Sequence, residues 1–255
     1  MMDFQNKTAV ITGASSGMGF LTSKSLAQQG ANVVMLASTP EKLAEKVDEI
    51  NALGGGKAIG IPVDVRCYEQ VAAACRQAFE TFGSIDITVA FAGGSEYRIK
   101  QVKPNTPFFD VPIEVYDWGL DVNLKGQFYL AHAAMKYMAE KRSGVIVNIG
   151  SVTGAEGSTS DASVAYAAAK SGVMTGLTKS LAVQGAPYGI RCFCVSPGPV
   201  LTRANMANMK TLLGRAADPQ EIVDFILYGA SDKGAFMTGT DYLIDGGRII
   251  TLQKV

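Results

Sequence analysis

A single histidine, a single tryptophan and four cysteines are all that 255 residues contain of those types, and the scarcity removes several kinds of chemistry. With His132 the lone imidazole and Cys67, Cys75, Cys192 and Cys194 in no CxxC spacing, little is left from which to build a metal site, and none is expected. The cysteines read instead as small buried hydrophobes, Cys192 and Cys194 on one face of an apolar strand. Net charge is missing too. The 23 basic and 23 acidic side chains cancel, so no broad positive field draws the chain to nucleic acid or an anionic membrane. No apolar run approaches the roughly 20 residues of a membrane span, and the opening MMDFQNKTAVITG enters a strand-like pattern without the charged and apolar regions of a leader. The expectation is a cytoplasmic protein with neither nucleic acid nor membrane as a partner.

What is present is apolar and alternating. A hydrophobic content of 47% supplies one sizeable core, and no linker, repeat or low-complexity tract divides the chain, so a single domain over 1–255 is expected. Apolar, β-branched runs at 7–12, 31–37, 57–64, 85–93, 144–150, 190–196 and 241–245 predict seven strands. Helical patterns at 19–30, 40–54, 68–83 and 122–141 fall between them, and the first three end on a glycine suited to a helix C-cap. Alternation of this kind predicts an α/β protein with a largely parallel sheet, its strands buried on both faces.

Two short stretches carry chemistry. After the first strand comes TGASSGMG, whose Gly13, Gly17 and Gly19 lead straight into a helix. Glycines let the backbone turn tightly and approach a ligand, and the helix N-terminus offers free N–H groups to a pyrophosphate. The spacing is G-x-x-x-G-x-G, and the bland alternative is a strand–helix turn that needs glycine for geometry alone. The second stretch is SVAYAAAKSGV. Tyr166 and Lys170 are helix-surface neighbours at i and i+4, where the ammonium favours the phenolate. They form either a proton-transfer pair or an ordinary solvated helix face.

TGASSGMG together with YAAAK resembles the classical short-chain dehydrogenase/reductase family, and other landmarks of that family follow in order along nearly the whole chain. They are PVDV with Asp64 and Val65, LDVNLKG with Asn123, VNIGS with Ser151, SPGPVLT with Pro197, Gly198, Val200 and Thr202, and the closing TGTDYLIDGG. The resemblance implies a Rossmann-like, doubly wound, seven-stranded parallel sheet and hydride transfer between NAD(P)(H) and a ketone or secondary alcohol. Tyr166 would be the proton donor and acceptor. Lys170 would lower its pKa and hold the nicotinamide ribose, Ser151 would orient the reacting oxygen, and Asn123 would place a water linking Lys170 to solvent. The implied cofactor contacts are Gly13, Ser15, Ser16, Gly17, Met18 and Gly19 at the phosphates, Ser38 and Thr39 at the adenine ribose, and Asp64 and Val65 at the adenine. Ala92, Gly93, Tyr166, Lys170, Pro197, Gly198, Val200 and Thr202 would line the nicotinamide half. The implied partner is a small carbonyl or alcohol substrate. A homotetramer pairing through the long helices around Asn123 and Tyr166 is also implied, in keeping with the apolar breadth of QFYLAHAAMKYMAE.

The chain departs from the family in three places. Ala90-Phe91-Ala92-Gly93 stands where Asn-Asn-Ala-Gly is usual, so a strand-stabilising asparagine is missing. Fourteen residues separate Ser151 from Tyr166, more than usual, so this loop must bulge, and Thr153 or Ser163 could take the place of Ser151. The substrate loops, about 94–118 and 199–214, are respectively longer and shorter than usual. Arg98, Lys100, Lys103, Arg203 and Lys210 lie in them, either to meet an anionic substrate or as solvated loop charges. Ala37, where NAD-preferring relatives carry an acid, leans toward NADP(H), with NAD(H) the alternative because neither Ser16 nor Ser38 is basic. A 3-oxoacyl reductase and a sugar or polyol dehydrogenase both fit. A cofactor-binding regulatory protein without turnover is the reading from another class, opposed by the intact Asn123, Ser151, Tyr166 and Lys170.

Overall fold

The computed structural model describes residues 3–103, 106–157 and 164–252. Seven strands form one sheet: β1 (Thr8–Thr12), β2 (Asn32–Ala37), β3 (Ala58–Pro62), β4 (Ile87–Ala90), β5 (Gly144–Ile149), β6 (Ile190–Pro197) and β7 (Asp241–Ile244). All neighbours run parallel, in the order β3-β2-β1-β4-β5-β6-β7. The helices are α1 (Gly17–Gln28), α2 (Pro40–Asn51), α3 (Tyr68–Phe82), α4 (Glu96–Ile99), α5 (Ile113–Leu120), α6 (Gly126–Lys141), α7 (Val152–Glu156), α8 (Val164–Gly172), α9 (Thr178–Gly185), α10 (Pro219–Ala230) and α11 (Arg248–Leu252).

Strict alternation along each strand sends side chains into two cores. Ala9, Ile11, Val145, Val147 and Ile149 pack with Leu26 of α1, Leu43 and Ile50 of α2, and Ile222, Val223 and Ile226 of α10. Val10, Ile146 and Cys192 face the other way, onto Val71, Ala74 and Cys75 of α3 and Leu130, Ala134 and Met138 of α6. Burial on both faces is why β1 and β5 are apolar throughout their length. From β1 the chain winds outward to β2 and β3, and from β4 it winds the opposite way. The C-terminal ends of β1 and β4 therefore open a crevice, the place where parallel α/β sheets bind ligands.

Four expected elements are shorter or more broken than their sequence patterns. The apolar runs overreach β3, β4 and β5, which end at Pro62, Ala90 and Ile149, leaving Asp64, Gly93 and Ser151 on the connections that face the crevice. The helix expected over 122–141 begins as a π-turn, Asp121–Lys125, and a second π-turn, Val173–Leu177, joins α8 to α9. In the first, the Asn123 and Gln127 amides donate to the Gly119 and Asn123 carbonyls at 2.8 and 3.0 Å, supporting backbone that the wide turn loosens. The long substrate loop is partly ordered as α4, a 3₁₀ turn at Phe108–Asp110 and α5, and the shorter one carries a 3₁₀ turn at Ala204–Asn208.

At the opposite, N-terminal end of the strands, Asp86 ties three elements together. It accepts from the Thr8 N–H at 2.9 Å, the Ser84 hydroxyl at 2.7 Å and the Lys141 ammonium at 2.5 Å. Burial works against its charge, but these donors outweigh it and hold the carboxyl below the usual carboxylate range. Asp86→Ala is expected to lose on the order of 2 kcal/mol at neutral pH, because it strands the buried Thr8 N–H, while the half-exposed Lys141 ammonium returns to water. That contribution exists above the unfolded carboxylate pKa and fades as pH falls through the folded one. Urea unfolding of the two proteins should therefore converge toward acid.

Candidate active site

The phosphate turn is built against the end of β4. Gly13 has φ +66°, and a Cβ there would lie 2.8 Å from the Ala92 nitrogen; one at Gly19 would lie 2.4 Å from the Gly13 carbonyl oxygen. Only glycine closes this turn. Ser16, the N-cap of α1, has extended backbone and no side-chain capping bond, and the first turn holds no acid. The helix N-terminus thus keeps free donors and an uncompensated positive end, as a pyrophosphate requires. Ser15 is half-buried, Ser16 exposed, and Met18 packs into the core. Across the cleft, the Thr202 methyl lies 3.9 Å from where a Cβ of Gly17 would stand, so both ends of the implied cofactor track converge.

At the adenine end Ser38 and Thr39 are exposed, and Thr39, the N-cap of α2, makes no side-chain capping bond. Asp64 is gripped by Arg66, whose Nε lies 2.9 and 3.1 Å from its two oxygens and whose Nη2 lies 2.5 Å from Oδ2, and this pairing holds its carboxyl below the usual range. Val65 is buried against Gly126. At the sheet end of the track, Pro197 closes β6, the Gly198 N–H donates to Ile244, and Val200 is buried where it bridges to Ala217.

The missing asparagine of strand β4 has a substitute on β1. The Thr12 hydroxyl accepts from the Ala92 N–H at 3.2 Å, joining the ends of the two strands. Asn123 holds the next two residues. Its Oδ1 accepts from the Gly94 N–H at 2.9 Å, its Nδ2 donates to the Gly94 carbonyl at 3.0 Å, and a Cβ on Gly93 would stand 2.4 Å from Oδ1 and 3.8 Å from the Lys170 nitrogen.

The catalytic candidates gather here. Ser151 caps α7, its Oγ accepting from the Thr153 N–H at 3.2 Å. That leaves its proton to donate, and it goes to the Tyr166 oxygen, lowering a phenol pKa that burial pushes up. Thr153 therefore supports Ser151 through its backbone; Ser163 lies outside the described residues. Lys170 is buried, donates to the Ile149 carbonyl at 2.7 Å, and stands 5.6 Å from the centre of the Tyr166 ring. Burial pulls it down to about 8. The positive charges that favour phenolate at Tyr166 here are Arg203 and Arg98. A lysine so lowered gives up its proton before a phenol so raised ionises.

Two residues escaped the sequence reading. Gln127, buried on α6, donates from Nε2 to the Ile149 carbonyl and accepts the Ile149 N–H on Oε1, both at 2.9 Å, and so clamps the end of β5. Glu96, fully buried on α4, accepts the Ala165 and Tyr166 N–H groups at 3.0 and 3.4 Å. It caps the catalytic helix from 69 residues away. A glutamine in an apolar helix and an acid opening a loop were the only signals, and neither names its partner. Glu96→Ala is expected to lower kcat on the order of tenfold by loosening the tyrosine's position, whereas Glu96→Gln, which keeps an acceptor oxygen, should recover most of it. Equal losses in both variants would show that capping is not the role.

A further tie closes the site from the C-terminal side. Arg248 of α11 pairs with Glu156 of α7 at 2.7 Å, both side chains nearly buried, and also donates to the Lys210 carbonyl at 3.4 Å.

A glycine turn under a helix N-terminus at the switch point, with half-buried Tyr166 and buried Ser151 and Lys170 beside it, defines a dinucleotide-dependent oxidoreductase. The short chain dehydrogenase model matches residues 7–212. The chain is 35% identical to the cis-4-hydroxycyclohexanecarboxylate dehydrogenase of Sinomonas cyclohexanicum, covering 96% of this chain and 97% of that one. It is 32% identical to the L-rhamnose 1-dehydrogenase (NAD(P)(+)) of Azotobacter vinelandii, over 97% and 98%. A short-chain type dehydrogenase/reductase from Mycobacterium marinum superposes with a TM-score of 0.86 at 35% identity, over 96% of each chain. The chain belongs to the short-chain dehydrogenase/reductase family and is an NAD(P)-dependent oxidoreductase. Among the described residues no helix is long and apolar enough to cross a membrane.

Proposed function

We propose that the protein interconverts a secondary alcohol on a six-membered ring and its ketone, with Tyr166 as the proton-transfer group. The observation that carries this is the hydrogen bond between the Ser151 hydroxyl and the Tyr166 oxygen, beside buried Lys170. Two hydroxyls converging on one point can both meet a single reacting oxygen. In the oxidative direction Ser151 holds that oxygen, Tyr166 accepts its proton, and the carbinol hydrogen leaves as hydride. The nicotinamide ring supplies the hydride acceptor when bound. Lys170 supports the tyrosine and meets the ribose, while Asn123 fixes Gly93 and Gly94 and, with Lys170, orders the solvent path for the proton.

Gly13, Ser15, Ser16, Gly17, Met18 and Gly19 would hold the pyrophosphate, Asp64 and Val65 the adenine, and Ala92, Gly93, Pro197, Gly198, Val200 and Thr202 the nicotinamide side. The free hydroxyls of Ser38 and Thr39, with no acid at Ala37, favour NADP(H) over NAD(H). The ring alcohol is argued from two relatives whose names specify a hydroxycyclohexanecarboxylate and rhamnose. It sets this reading above a 3-oxoacyl reductase. All 255 residues act as one domain, in the cytoplasm, as a homotetramer. The outer face of α6 supports assembly: exposed Phe128 stacks on His132, next to Tyr129 and Tyr68.

A panel of cyclic alcohols offered with NADP⁺ and with NAD⁺, followed by absorbance of the reduced cofactor, tests the reaction. Turnover of ring alcohols with the lower KM for NADP⁺ is the expected result. Tight cofactor binding with no turnover across the panel would return the regulatory reading. A monomeric mass by light scattering would remove the tetramer.

A further inference from the structure

We propose that Arg98 and Arg203 form a carboxylate-binding clamp over the reacting centre, so that the alcohol this site oxidises is a hydroxy acid. The inference rests on the ring-alcohol reading above and adds what lies at the other end of the substrate.

Placement comes first. Arg98 lies on α4, which Glu96 fixes to the start of the catalytic helix through its bonds to Ala165 and Tyr166. Its guanidinium lies against Gly94: a Cβ there would be 2.8 Å from a terminal nitrogen. Gly94 is held on both its N–H and its carbonyl by Asn123. Arg98 is therefore positioned from two sides, against the Gly94 that Asn123 holds. Arg203 comes from the facing loop, directly after Thr202. Each arginine acts electrostatically on the Tyr166 hydroxyl, and Arg203 acts on Arg98. Both charges thus bear on the reacting oxygen, Arg98 from beside Gly94 and Arg203 from an exposed position on its loop.

Their partners are the second observation. Arg66, Arg215 and Arg248 pair with carboxylates, Arg142 and Arg191 donate to backbone carbonyls, and Arg76 stands exposed on α3, away from the loops that carry Arg98 and Arg203. Among the described residues, no carboxylate lies within ion-pair distance of Arg98 or Arg203. Glu96, on the same helix as Arg98, turns its Oε1 to the α8 backbone, and its Oε2 is buried without reaching either arginine. Two like charges held together beside a reacting hydroxyl repel, and an anion relieves that repulsion. A planar guanidinium fork matches a carboxylate's two oxygens. Lys100 is drawn elsewhere, its ammonium over the Trp118 ring at 5.0 Å.

The probes are 4-hydroxycyclohexanecarboxylate, its methyl ester and cyclohexanol. Wild type should turn over the acid with the highest kcat/KM, and raised salt should lower that preference. Arg98→Gln or Arg203→Gln should reduce kcat/KM for the acid about 10- to 100-fold more than for the ester, the loss expected when a hydrogen bond to a charged group is removed. Equal losses on acid and ester would overturn the clamp. A raised cofactor Kd with the acid preference intact would do so too, by assigning the arginines to the cofactor. If no probe turned over, the ring-alcohol reading would fail separately. Calorimetry with cyclohexanecarboxylate would still decide the clamp, which stands if wild type binds and Arg98→Gln does not, and falls if both bind alike or neither binds.

Discussion

Tyr166→Phe is expected to leave the fold and cofactor affinity intact while lowering kcat/KM on the order of 10²- to 10⁴-fold, the range for loss of a positioned acid–base group. The ring stays, so its packing stays. What goes is the oxygen to which Ser151 donates and through which the substrate proton must pass. The wild-type pH profile should show the group as well. Burial holds the phenol above its ordinary pKa, against the pull of Ser151, Arg203 and Arg98, so oxidation should climb with pH into the alkaline range. Steady-state rates across pH, with thermal unfolding as the control for folding, check both statements. A variant retaining near wild-type turnover would move the proton transfer to another group.

Lys170→Met is expected to lose turnover at least 10²-fold and at the same time to make the protein more stable. Burial lowers the ammonium from 10.5 to about 8. At 1.36 kcal/mol per unit, keeping it charged below pH 8 costs the native state about 3 kcal/mol. A methionine, unbranched and of similar length, occupies the same buried position without that cost. The Ile149 carbonyl keeps a donor, because Gln127 reaches it at 2.9 Å. Between pH about 8 and 10.5 the unfolded chain still holds the lysine proton that the native state has given up. Wild-type stability therefore rises with pH across this window relative to the variant, and the two converge above it. Urea midpoints at neutral and alkaline pH measure the gap. A variant less stable than wild type at neutral pH would show that the buried ammonium is no burden. The expected pairing of lost activity with gained stability marks Lys170 as kept for its chemistry.

The parts of this molecule that are local in sequence were legible before folding. Seven strands follow from apolar runs, and Gly13 and Gly17 announce a turn because their positive φ suits glycine. Tyr166 and Lys170 declare a shared helix face by their spacing alone. What stayed hidden depends on distant pairs. Nothing in the residues around Glu96 says that its carboxylate will cap α8, and nothing around Gln127 says that it will grip β5. The π-turn at Asn123 has the periodicity of a helix and differs by one residue of width, which only the poor helix propensity of asparagine hinted at. Five loop cations looked equivalent in sequence. The fold sorts them, turning Arg98 and Arg203 toward Tyr166 and laying Lys100 on Trp118.

The ion pair between Glu156 and Arg248 gives the last helix a part in enzyme engineering. Arg248 lies beyond residue 212, where the family match ends, yet it braces the short helix that Ser151 caps and the loop that follows Arg203. In a chimera that exchanges tails between relatives, the serine's helix would keep its own sequence and lose its brace. Recombination points placed before α11 would then disturb substrate handling without touching a single residue that meets the substrate. Libraries built from this scaffold should treat α7 and α11 as one inherited unit.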